Sequence, residues 1–247
     1  MLAPEPSLPD ELHVPERLDT TFPGFRPEAF EILERLRAHP HVEQYRQEKP
    51  GIERYLMAPF RAYRDDLAVN LVLPNGLPWE TERNVFSRLL KNDFGAGGCH
   101  HHLWMSFYRH GYTRLKDIQL PHSIDPDGFS IGLYLGSHAP AALRHAKRRI
   151  AADPHAFRSI LEVLLRHPDW RFDYYLGTGA AEVSVKVSSV SDEILLSLQR
   201  ASGLWLRTQF TRPDVIEMRG DLVRQAVQSV QTVWSLYRFF ASNSYNA

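Results

Sequence analysis

The chain has a single cysteine, Cys99, so no disulfide can staple its fold from within. A lone thiol suits a reducing compartment better than a secreted framework. Surplus charge is missing too, since 29 Lys and Arg stand against 29 Asp and Glu. A molecule without net charge has no overall field to draw it onto DNA or an anionic membrane. Nucleic acid is therefore not an expected partner, and any such contact has to come from a local patch. Long apolar runs are absent, and residues 1–10 combine prolines with acidic residues instead of a basic start and an apolar stretch. Neither a signal peptide nor a membrane span is expected, and the cytoplasm is the expected location. There is no Walker-type glycine loop, no Gly-x-Ser-x-Gly elbow and no dinucleotide fingerprint. The common enzyme classes are left without support, and whether the chain is an enzyme stays open.

What is present is enough apolar material for a sizeable core, 43% of 247 residues. Five prolines between Met1 and Pro23 remove backbone donors and fix φ, so residues 1–23 are expected to form an extended arm around the body. Phe30, Ile32, Leu33 and Leu36 follow at helical spacing behind Pro27. A second helix is expected from about Gly51, with Pro59 breaking or kinking it, and Leu71-Val72-Leu73 reads as a short strand. Residues 103–108 and 129–135 are aromatic and apolar runs expected to form two adjacent strands, the second behind the turn signal Asp125-Pro126-Asp127-Gly128. Two helices follow, over residues 141–150 and 157–165. Val183, Val185 and Val187 then alternate with Ser184 and Lys186 as a strand with one polar face, and residues 222–240 carry core spacing for a terminal helix. The expected architecture is α+β: a central, mostly antiparallel sheet flanked by helices, with a Pro-rich N-terminal arm and a long C-terminal helix. Residues 24–247 are expected to form one domain.

Several landmarks appear in a recognisable order: Tyr45, Lys49 and Pro59-Phe60, then Tyr108-Arg109, then Gly132-Leu133-Tyr134 running into Ala142-Leu143-Arg144 with Ile150, and finally the helix ending Leu236-Tyr237-Arg238-Phe239-Phe240. In that order the chain resembles the uncharacterised bacterial family catalogued as domain of unknown function 2461, over residues 22–242. The family's basic central segment is matched only in part, by Tyr108-Arg109 or by Tyr112-Thr113 ahead of Lys116. The resemblance implies a single α+β unit and implies no activity.

Two groups of residues carry chemistry. Arg109, Arg114 and Lys116, with Tyr108, Tyr112 and His122, fall in one stretch where a loop curling back would converge their donors on a phosphate or carboxylate. The leading expectation is thus a binding module whose central basic loop, residues 109–122, holds a small anionic ligand. Cys99-His100-His101-His102 is the other unusual string, since thiolate and imidazole are preferred zinc ligands. In an extended strand only His100 and His102 point the same way, leaving His110, His122 or Asp93 to complete a shell. A metal-assisted hydrolase holding a divalent ion is the alternative; no other cofactor is expected. A third reading is an interaction subunit or homo-oligomer, because Trp234, Tyr237, Phe239 and Phe240 place aromatics on more than one face of the terminal helix. The basic run Arg144, Lys147, Arg148 and Arg149, with Arg158 and Arg166, reads as a solvated helix face. Tyr134 and Phe157, the aromatics nearest it, read as core.

Overall fold

The computed structural model of the chain describes residues 8–91 and 98–241. Its organising feature is a period of two that runs through one antiparallel sheet. The described strands are β1 (Trp79–Glu80), β2 (Leu103–Arg109), β3 (Leu120–Asp125), β4 (Gly128–Leu135), β5 (Trp170–Leu176), β6 (Val183–Val187) and β7 (Gly203–Thr211), in the order β1-β2-β3-β4-β7-β5-β6. Every pairing is antiparallel. Leu120, His122 and Ile124 are buried while Pro121, Ser123 and Asp125 are half-exposed, and β4 and β7 alternate in the same sense around Ile131, Leu133, Leu204 and Leu206. Such alternation is the signature of a sheet covered on one face only.

Helices supply that cover. They are α1 (Pro27–Ala38), α2 (Val42–Gly51), α3 (Ala58–Leu67), α4 (Pro140–Ala152), α5 (Pro154–Leu165), α6 (Asp192–Leu198), α7 (Arg212–Met218) and α8 (Leu222–Ala241). The last lies across β4 and also packs on α3, α4 and α5. The α+β expectation and the long C-terminal helix are therefore seen. Between α3 and β4 the core is tied by rings: Phe22, Phe25, Phe60, Tyr63 and Phe129 meet at centroid distances of 5.1–5.9 Å. Edge-to-face pairs of this kind each add about 0.5–1.5 kcal/mol beyond the area they bury.

Three local expectations are corrected. Residues 103–109 and 128–135 do form strands, but they are not adjacent: β3 lies between them, pairing with both. Pro121 hides this strand, because a proline reads against a central position, although here it is the strand's second residue. Leu71 and Val72 belong to a wide helical turn, Ala68–Val72, that continues α3, and no strand forms there. Pro59 does not break the helix. The chain stays helical from Val42, and the turn Ile52–Met57 is wound wide, with the Ala58 N–H reaching back five residues to the Glu53 carbonyl. A wide turn of this kind makes room for the proline ring, which would otherwise collide with a carbonyl. Strands β5 and β7 are additions with no counterpart among the expected elements, and β7 joins the two halves of the sheet.

The arm is strapped down over its described part, residues 8–23. The Trp234 indole donates to the Pro9 carbonyl at 3.1 Å, and Arg238 donates to the Asp10 carbonyl at 2.9 Å. Asn70 brackets Asp19, accepting from its N–H at 2.8 Å and donating to its carbonyl. Asp66, 3% exposed on α3, accepts from the Thr21 N–H and hydroxyl and from the Phe22 N–H at 2.8–2.9 Å. Gly24 then turns at φ +91°, where a Cβ would stand 2.6 Å from the Arg219 Cα, so no other residue fits there.

Asp66→Ala strands the Thr21 and Phe22 donors in the core and is expected to cost roughly 2–4 kcal/mol in urea denaturation. Asn75→Ala, which releases an exposed contact to His13, should cost roughly 1 kcal/mol or less. Equal losses in the two variants would contradict the strap.

Candidate functional site

The central basic stretch folds back as expected, but the anion it meets is the protein's own. Arg109, at the end of β2, is 6% exposed and places Nη2 2.8 Å from Asp117 Oδ1, while its backbone N–H donates to Asp117 Oδ2 at 2.8 Å. Asp117 is fully buried, and the guanidinium also stacks 4.6 Å from the Tyr112 ring. A buried, bidentate pair of this kind fixes the loop, and removing either partner leaves an uncompensated charge. The Tyr108 hydroxyl donates to the Arg83 carbonyl at 2.8 Å, and Lys116 is exposed on a single turn, Arg114–Lys116.

His122 stands elsewhere. On β3 it points to the helix-covered face, where its Nδ1 lies 2.8 Å from the Tyr63 hydroxyl. Arg114 lies on the opposite face, its guanidinium 4.5 Å from the centre of the Trp104 ring. The sheet separates the two, so the five expected ligand-binding residues do not form one centre. The reason is the alternation itself: a loop reading puts Arg114 and His122 together, whereas a strand at residues 120–125 turns His122 inward.

The histidine string behaves partly as expected. His100 and His102 have ring centroids 5.0 Å apart, and His101 lies 5.8 Å from His102. Burial, reinforced by the charges of His100 and His101, lowers the His102 pKa below the ordinary histidine value. Cys99 is turned inward towards the His41 carbonyl, and burial raises its thiol pKa. Asp93 and the glycines at 95 and 97 fall outside the described residues. Among the described residues no three His, Cys, Asp or Glu side chains gather as a metal shell would require. The basic run on α4 and α5 is partly engaged: Arg149 packs on the Phe239 ring and Arg158 pairs with Asp192.

The uncovered face of the sheet is where the unusual chemistry gathers. At positions that alternation points away from the core, three strands carry a large aromatic: Trp104 on β2, Tyr134 on β4 and Trp205 on β7. Tyr134, expected in the core, stands on this face directly opposite Trp205, with the two rings 5.9 Å apart. It folds back over Gly136, where a Cβ would meet its hydroxyl at 2.2 Å. With Tyr175 of β5 these rings line a cleft of about 440 Å³, completed by His102, Leu115, Gln119, Pro121, Ser123, His138 and Glu182. Small-molecule sites typically enclose roughly 300–1,000 Å³.

Two cations back the aromatic wall. Arg207 lies 3.8 Å from the Trp205 ring centre and is paired through Nη2 with Asp173, a fully buried carboxylate that Arg171 also contacts at 2.8 Å. Arg114 differs. Among the described residues no carboxylate lies within ion-pair distance of it, and its Nε and Nη1 are buried without a hydrogen-bond partner. Burial raises the pKa values of Tyr134 and Tyr175, so both phenols are protonated donors at neutral pH.

No protein-family model matches the chain, and no curated protein matches it. Among the described residues no helix is long and apolar enough to cross a membrane.

The aromatics of the terminal helix are covered from within the chain. Trp234 and Tyr237 stack on each other and meet Trp79 edge to face, with the Trp79 indole donating to the Tyr237 hydroxyl at 3.0 Å; Phe239 and Phe240 pack on Phe157. The surface signal that sequence reasoning overlooked was thus on the strands. It consists of outward positions filled by Trp or Tyr where Ser or Lys is the ordinary choice for a wet face.

Burial pushes the His122 pKa down to about 3, against about 6.5 in an unfolded chain. Between those values the unfolded state binds a proton that the folded state refuses. The stability this group contributes is complete above about pH 6.5 and is lost as pH falls towards 3, by up to about 1.4 kcal/mol per pH unit. Urea titrations at pH 7, 6, 5 and 4 should show that slope in the wild type and a shallower one in His122→Gln; identical slopes would refute it.

Proposed function

We propose that the chain is a binding module whose seat is the aromatic cleft on the uncovered face of the sheet, and that its ligand is a small planar molecule bearing an anionic group. Convergence of Trp104, Tyr134, Tyr175 and Trp205 from four strands on one cleft carries this reading. Exposed aromatic faces favour planar partners, since stacking is worth roughly 1–3 kcal/mol per ring. Arg114 supports the anionic part: a half-buried guanidinium with no carboxylate beside it gives the Trp104 end of the cleft an uncompensated positive potential. Of the residues first expected to bind, Arg114 keeps that role here. Arg109 holds the loop that carries Arg114, and His122 belongs to the core beneath the sheet.

Cys99 is a buried free thiol, in keeping with a cytoplasmic protein. Membership of the family catalogued as domain of unknown function 2461 is supported by the order of the landmarks, from Tyr45 and Phe60 on the helical layer to Gly132 and Tyr134 on β4.

Calorimetric titration with planar anions (2-naphthoate, flavin mononucleotide, AMP) beside their neutral parents tests the reading. At least one anion should bind more tightly than its parent. Trp205→Ala should weaken it about tenfold or more, and Arg114→Gln should bring it down to the parent's affinity. Binding indifferent to both substitutions, or no binding by any of the three anions, would rule the cleft out.

A further inference from the structure

Beside the aromatic cleft the same face opens into a second recess of about 260 Å³, lined by His101, His102, Ser123, Asp125, Ser130 and Trp205 among others. His102, Ser123 and Trp205 line both spaces, so the two are continuous. Their chemistry differs sharply: the cleft is walled by rings, and the recess by hydroxyls, imidazoles and the carboxylates of Asp125 and Asp127, the latter paired with Arg37. The sheet register sets this out in rungs. Ser123 stands directly opposite Ser130, which stands opposite Gln209, while Tyr134 stands opposite Trp205 on a neighbouring stretch of the same strands.

From this juxtaposition we infer that the ligand's planar ring continues into a hydroxyl-rich substituent, a pentose or hexose ring, seated in the recess. The inference rests on the reading of the cleft as a binding seat and names the class of molecule that fills it, an aromatic glycoside. Each recess group suits neutral hydroxyls better than another charge. Asp125 uses Oδ1 to accept from the N–H groups of Asp127 and Gly128 at 2.8 and 3.0 Å, and among the described residues its Oδ2 accepts no hydrogen bond. A carboxylate oxygen in that position repels phosphate and accepts from a sugar hydroxyl. The two serine hydroxyls donate and accept. His102, packed beside His100 and His101, is more readily neutral than cationic, and a neutral imidazole both donates and accepts. Arg114 lies over the ring of Trp104, which lines the cleft and not the recess, so the anionic group and the hydroxylated group are recognised separately.

Paired probes test this: adenine against adenosine and uracil against uridine, by calorimetry on the full chain. Each nucleoside should bind about tenfold more tightly than its base, the yield of one well-made hydrogen bond to a charged acceptor. Asp125→Asn keeps the Oδ1 acceptor that the turn needs and replaces Oδ2 by a donor, so it should remove most of that advantage and leave the base's affinity unchanged. Ser123→Ala, a smaller change on a half-exposed position, should remove part of it. Thermal melts of both variants check that they fold. Equal affinity for nucleoside and base, or variants that weaken both alike, would overturn the inference. If neither nucleosides nor bases bind while the planar anions do, the inference falls and the cleft reading stands; if the planar anions also fail, both fall.

Discussion

Everything distinctive about this molecule follows from covering one face of a sheet and leaving the other to water. Helices α3, α7 and α8 lie on one side, so the central strands β3, β4 and β7 alternate between core residues and outward ones. A single residue's change of register would exchange the two sets, placing Leu133 and Leu206 in water and Tyr134 and Trp205 among the helices. The register is therefore fixed by burial, and with it the convergence of rings that makes the cleft. The turn Asp125–Gly128 and the Arg109–Asp117 pair hold the two ends of β3 in that register.

The same constraint accounts for what was legible in the sequence. Helices α1, α4, α5 and α8 announce themselves because each carries apolar residues recurring at a period of 3.6, as Phe30, Leu33 and Leu36 do. The sheet is harder to see. Val183, Val185 and Val187 mark β6 because their partners Ser184 and Lys186 are plainly polar, yet β6 is an edge strand and contributes little to the core. Strands β5 and β7 put tryptophan, tyrosine and arginine at outward positions, and rings on both faces erase the apolar–polar alternation that identifies a strand. What hid the strands is also what makes the face chemically unusual.

The site residues divide along the same line. Arg109, Arg114, Lys116 and His122 are close in sequence, and a loop reading gathers them. Whether close residues meet is decided by Asp117, which takes Arg109 for the protein's own structure, and by the inward turn of His122 against Tyr63. Neither is visible in residue spacing. Arg114 is the exception because the single turn that carries it lies on the uncovered face, across Trp104. His100 and His102 do come together, in the bend that precedes β2, and His102 reaches the wall shared by cleft and recess.

As proposed, ligand meets the uncovered face and not the core. The chain has five tryptophans, and they sample both. Trp104 and Trp205 line the cleft, whereas Trp79 and Trp234 are buried against α8 and the arm. Two-dimensional NMR of the indole N–H signals during titration with a planar anion reads them separately. The signals of Trp104 and Trp205 should move together and saturate while those of Trp79 and Trp234 stay in place; movement confined to Trp79 and Trp234, or none at either cleft tryptophan under a ligand that binds, would contradict the account.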